Sequence, residues 1–221
     1  MLRIIALKNF SDVKKGQLGG LIEKEENLSQ KGDCWVYDDA RVSGNAYVCD
    51  NVKVYGKANV SGFARIGENA QVYENAEVFG KAWVSGEAKV CGNANVCGNA
   101  CVYDNAKISG KANVSGFAGI CGNAQVYEDA WVCMGAKIYG NVYVAGEACV
   151  ADNAEIPGNV KLYSTKRSWV TTSIKDSKDY VIFVIKKDFY MISLSEDTSI
   201  GEEDYYIKNI QIIRQLYGKE I

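Results

Sequence analysis

The chain has 221 residues, 48% of them hydrophobic and 24% charged, which excludes an intrinsically disordered chain and suffices for one sizeable core. Its formal net charge is −2 and it has no histidine, so no polybasic field points to nucleic acid or membrane, and the commonest general base and metal ligand is missing. No long apolar run and no secretory leader pattern occurs, so a soluble cytoplasmic protein is expected.

Residues 1–33 read as a cap. Leu2 to Leu7 is apolar enough for a strand, and Leu18-Gly19-Gly20-Leu21-Ile22 can turn over the open end of whatever follows. The repeat region, 34–162, decides the fold. From Val36 to Leu162 every residue whose number divides by six is Val, Ile or Leu, 22 positions without a slip in phase. Between Ala40 and Val160 the residue two places earlier is Ala eighteen times and Val three times. Two places after the aliphatic position, Gly stands in thirteen of 21 hexads. A six-residue period rich in Gly and Asn cannot persist as a helix. Small-x-aliphatic instead points both residues inward along a short strand, and Gly or Asn then turns the chain. Three strands make an 18-residue triangular coil, and the region predicts an all-β solenoid of about seven coils, with Ala at narrow inward corners and Val or Ile filling the centre.

These hexads resemble the hexapeptide-repeat family, which implies a left-handed parallel β-helix. The stretch from Ala6 to Val42, ALKNFSDVKKGQLGGLIEKEENLSQKGDCWVYDDARV, is similar to the N-terminal region of uncharacterised bacterial and phage- or prophage-encoded members. Some of these carry acyltransferase or polymer-forming labels. The tail, 163–221, lies outside the resemblance. It reads as an α+β cap: strands near Ser168–Ile174, Tyr180–Ile185 and Phe189–Leu194, then a helix opened by Ser199 and Glu202. Its Trp169, Tyr205, Tyr206 and Tyr217 are candidate oligomer contacts.

Chemistry is harder to find. Enzymes of the resembled family typically use a His base and a loop extruded from a coil, and this chain has neither. Glu or Asp could serve as a base, but no pair stands out from the corner carboxylates, which read as solvated turn residues. The eight cysteines include no Cys-x-x-Cys, so free thiols are expected rather than zinc ligands or disulfides. Asn-x-Ser at Asn27, Asn59 and Asn113 is read as chance. No catalytic residue, metal or cofactor is expected.

What remains is surface. The 18-residue period places Trp35, Tyr37, Lys53, Tyr55, Tyr73, Lys89 and Lys107 on one outward face without a carboxylate. A third face holds Arg65, Trp83, Cys101 and Tyr103. The segment Gly56–Ala64 recurs letter for letter as Gly110–Ala118, which puts Phe63 and Phe117 on one corner three coils apart. Acidic corners flank the aromatic–basic face and oppose a phosphate backbone. The resulting expectation is a non-catalytic, phage- or prophage-associated protein that docks a rigid face on a protein partner or on copies of itself. A polymer-forming scaffold and a degenerate acyltransferase are the alternatives.

Overall fold

The structure, a computed structural model, describes residues 1–171, 180–185 and 188–193. Most hexads form a two-residue strand, from Trp35–Val36 to Glu155–Ile156, paired in parallel with the strands one coil below and above. Three ladders run along the rod, one per face. Successive rungs are 18 residues apart, as in Trp35↔Lys53, Arg41↔Asn59 and Tyr47↔Arg65. Seven such steps separate Val36 from Leu162, and the result is a left-handed parallel β-helix.

The interior follows from the hexad. The aliphatic residues from Val36 to Leu162 and the small residues from Ala40 to Val160 are all at most 1% exposed. Burying each Val or Ile contributes roughly 1.5–3 kcal/mol, and the columns join into one continuous core. The corners are equally regular. All 21 residues two places after an aliphatic position, from Asp38 to Gly158, have φ between 53° and 88°. At Gly98 a Cβ would lie 2.9 Å from the Gly116 nitrogen in the next coil, so glycine is required there for space as well as for φ.

Eight corners are not glycine, and seven of these are Asp or Glu. Side chains in this region cost energy, and the structure shows what offsets it. Carboxylates of Asp38, Asp50, Glu68, Glu74, Asp104 and Glu128 each accept the backbone N–H of the corner 18 residues on, at 2.6–3.0 Å. Such charge-assisted bonds are about twice as strong as neutral ones. These carboxylates therefore tie coil to coil, beyond the solvated-turn role the sequence suggested.

Both ends break phase by two residues. At the start, strand β1 (Leu2–Ile5) pairs antiparallel with β2 (Leu18–Ile22). β2 then pairs in parallel with Arg41–Val42, and β3 (Leu28–Gly32) with Tyr47–Asp50. The spacing is 20 in Ile22↔Val42 and Leu28↔Val48 but returns to 18 at Gly32↔Asp50. The N-terminal residues thus supply rungs of the helix, bringing it to about eight turns. At the far end Val160–Val170 keeps a spacing of 18 at Gly146↔Ser164 and reaches 20 at Val150↔Val170. The loss of the hexad after Leu162 is this two-residue insertion; Val170 is again buried. Tyr180–Ile185 pairs in parallel with that strand and antiparallel with Asp188–Ser193. The expected helix after Ser199 lies outside the described residues.

Buried Asn27 fastens the first turn. Its Oδ1 accepts the Glu23 and Lys24 N–H groups, and its Nδ2 donates to the Gly44 and Ala46 carbonyls. A side chain with 0% exposure and four hydrogen bonds is no acceptor for a glycan.

Candidate functional site

The aromatic–basic face is only partly the open surface the sequence suggested. Trp35 is 5% exposed, not outward and free. Residues 6–17 fold across it, and Phe10 meets its indole edge-on at 5.5 Å between ring centroids. The period put Trp35 on the outer surface correctly; the cap then covers it, which no repeat arithmetic reveals. Tyr37 is half-buried, and its hydroxyl donates to Asp12 Oδ1 at 2.8 Å. Lys53 Nζ reaches the same oxygen at 3.0 Å and lies 5.9 Å from the Tyr37 ring. Asp12 thus brings a carboxylate onto a face whose own residues have none.

These bonds hold Asp12 down at about 2, the hydrogen bond from Tyr37 having the largest effect. A depressed carboxylate adds stability above its unfolded value near 3.8 and loses it as pH falls through about 2. Residues 6–17 should therefore loosen between about pH 4 and pH 2. Hydrogen exchange at Phe10 and Val13 reads this, and Asp12→Asn should leave exchange high and flat across that window. Unchanged protection in the wild type down to pH 2 would contradict it.

Beyond Asp12 the face is open. Tyr55 and Tyr73 stack at 4.7 Å with their planes 1° apart, and the Tyr55 hydroxyl donates to Gln71 Oε1 at 3.3 Å. Lys89 and Lys107 are exposed ladder neighbours farther along. Phe63 and Phe117 share a corner column and are 58% and 73% exposed. Trp169 lies in the strand Val160–Val170, where it pairs with Cys149; Tyr205, Tyr206 and Tyr217 lie outside the described residues.

A groove of about 330 Å³ opens on the third face, lined by Glu68, Trp83, Ser85, Gly86, Cys101, Tyr103 and Asp104. It arises from side-chain size. Trp83 and Tyr103 stand out from neighbouring coils, while Ser85 and Gly86 between them are small. Glu68 and Asp104 occupy the same corner column on either side of Gly86. Glu68 Oε2 accepts the Gly86 N–H at 2.9 Å, which anchors its carboxylate at the groove. Burial pushes the Cys101 thiol up, so it is not a ready thiolate nucleophile. The Tyr103 hydroxyl is raised to about 12, first by its hydrogen bond with Cys121 and then by burial. The sequence reading put Trp83, Cys101 and Tyr103 on one face but missed the groove. Its signal is a small outward residue, Ser85, two places after Trp83 along the chain and one coil below Tyr103.

All eight cysteines are free thiols in the structure. Burial raises Cys34 to about 11, and burial together with the contact to Asp50 raises Cys49 to about 12. A thiol reagent at neutral pH should label the unfolded chain at all eight sites and leave buried Cys34, Cys91 and Cys149 unlabelled in the folded one. Mass spectrometry after labelling checks both, and rapid native labelling of Cys91 would contradict the packing.

Among the described residues no helix is long and apolar enough to cross a membrane. Stacked parallel coils built on this six-residue period define a hexapeptide-repeat β-helix. No protein-family model matches the chain. A curated relative, the uncharacterised acetyltransferase YdcK of Escherichia coli strain K12, is 40% identical over 55 residues. That stretch is 24% of this chain and 17% of the relative, so the chain spans less than a fifth of that protein's length. The solved UDP-N-acetylglucosamine acyltransferase of Campylobacter jejuni is similar at a TM-score of 0.52 and 12% identity, over 92% of this chain and 84% of that one. That of Bacteroides fragilis gives 0.45 at 17% identity, over 91% and 84%.

These likenesses correct the functional expectation. A non-catalytic, phage-associated docking protein finds no support among them; the proteins named are acyltransferases, which favours the acyltransferase alternative. The expectation gave weight to the missing histidine and the missing loop, and set the corner carboxylates aside as solvated turn residues. A carboxylate can act as the base.

Proposed function

We propose that the chain is an acyltransferase of the hexapeptide-repeat type, working without histidine. The observation that carries this is its 40% identity over 55 residues to an acetyltransferase. The third-face groove suits such chemistry, since its size falls at the lower end of small-molecule pockets. Glu68 is the candidate base. Its carboxylate is fixed at Gly86, and among the described residues it makes no other hydrogen bond. In the reaction, an acceptor amine or hydroxyl attacks the carbonyl of an acyl thioester. Glu68 takes the proton the acceptor sheds, the carbon–sulfur bond breaks, and the thiolate leaves and is protonated by solvent.

The test is product mass after incubation of the purified chain with acetyl-coenzyme A and a panel of amines and alcohols. Acylated product above the protein-free rate is expected, and Glu68→Gln should lower kcat by about 10²–10⁴. No product with any acceptor from the folded chain would overturn the reading. Self-association belongs to the same proposal, with the C-terminal unit, 163–221, and its Trp169, Tyr205, Tyr206 and Tyr217 as the contact. Sedimentation of the full chain and of Trp169→Ala tests that part: a monomer in both would remove it.

A further inference from the structure

The groove on the third face has a chemical bias that acyl transfer alone does not require. Two carboxylates line it, Glu68 and Asp104, and no Lys or Arg does. The nearest cation along the ladder, Arg65, sits one coil below Trp83 and is not part of the lining. Trp83 is 56% exposed and Tyr103 41%, so two aromatic surfaces are presented to a ligand. An independent mark lies at the floor. Ser85 is nine-tenths buried and lines the groove, yet its hydroxyl makes no hydrogen bond among the described residues. The serine is packed in on its other sides, so its hydroxyl stays open toward the groove it lines, where a ligand can supply the bond.

We infer that this groove binds a short aliphatic diamine or polyamine. An ammonium over the indole face is attracted by the ring quadrupole, and Trp is the strongest such partner. A carboxylate accepts charge-assisted bonds from the same group, and the Ser85 oxygen can accept one more. The two carboxylates stand two coils apart on one corner column, about 9.6 Å along the rod. That span suits one ammonium at each with a methylene chain lying between them along Trp83 and Tyr103. An anion would meet two like charges there, and a neutral ligand would leave both carboxylates unanswered. The inference deepens the acyltransferase reading, since a bound amine is an acyl acceptor, but binding can be measured without turnover.

The test uses three ligands of one length and different charge: 1,4-diaminobutane, 1,4-butanediol and succinate, with spermidine as the longer cation. Calorimetry on the full chain should detect binding of the two amines only, weakening as salt rises. Trp83→Ala and Glu68→Gln should each weaken it about tenfold, and Ser85→Ala by a smaller factor, whereas Phe117→Ala should leave it unchanged. Trp83 and Glu68 are exposed, so melting near the wild-type temperature verifies that those variants fold. Equal affinity for the diol, or an unchanged Kd in Trp83→Ala, would overturn the site. Acyl transfer without amine binding would retire this inference and keep the enzyme; amine binding without acyl transfer to any acceptor would do the reverse.

Discussion

Trp35→Ala is expected to destabilise the chain by about 3–5 kcal/mol, the usual cost of removing a buried Trp. For a chain of this length that corresponds to a fall in melting temperature of roughly 6–20 °C. The expectation rests on burial: Trp35 is 5% exposed, touches Phe10, and lies close beside Gly19, where a Cβ would come 2.7 Å from the indole. Removing it would open the space beneath residues 6–17 and unseat the first turn. Because coils contact only their neighbours, opening should begin at this end, so hydrogen exchange across residues 6–36 should accelerate before the middle coils respond. Tyr55→Ser on the same face makes the contrast, since a half-exposed Tyr should cost far less. Equal, small effects from both would mean that residues 6–17 do not cover Trp35.

Ala100→Phe is expected to cost about 1–3 kcal/mol by overpacking. Ala100 is 0% exposed at the inward corner, above Ala82 and below Ala118 in a column that is Ala at every coil from Ala46 to Ala154. The larger ring must displace strands on all three faces, or the coil must open. The neighbouring Asn99 makes a control, because its side chain points away from the core; Asn99→Phe should melt close to the wild type. Both are read by thermal denaturation. A melting temperature for Ala100→Phe equal to that of the wild type would contradict the inward assignment.

The rod was legible in the sequence because one physical constraint acts 22 times over. An inward position that accepts only aliphatic residues leaves a six-residue period from which the 18-residue coil follows, while the left hand comes from the family resemblance. What stayed hidden depends on parts that do not repeat. Residues 6–17 have no period, so nothing in the chain announces that Phe10 and Asp12 land on Trp35, Tyr37 and Lys53. The carboxylate bonds between corners were present in the sequence as acidic residues at the turn position, five of those six followed 18 residues later by Gly. Their meaning appears only once that corner N–H is known to point back along the rod. The groove needed side-chain sizes compared in two directions at once, Ser85 against Trp83 along the chain and against Tyr103 across coils. The candidate base was not singled out for a simpler reason: Glu68 is one of many similar corner carboxylates, and only its place beside that groove distinguishes it.

The identical segments Gly56–Ala64 and Gly110–Ala118 define a way to shorten the rod without a seam. Excising residues 56–109, three whole coils, would join Tyr55 to Gly110 without altering the local sequence at the junction. Asp38 would then face Gly110 in place of Gly56, and Asp50 would face Gly122, so each carboxylate still finds a corner N–H. The aliphatic phase is unbroken as well. The product is a rod about 14 Å shorter with the same two ends, and it has lost Glu68, Trp83, Ser85, Gly86, Cys101, Tyr103 and Asp104 together. That one deletion thus separates scaffold from groove, leaving a folded sibling that should bind no amine.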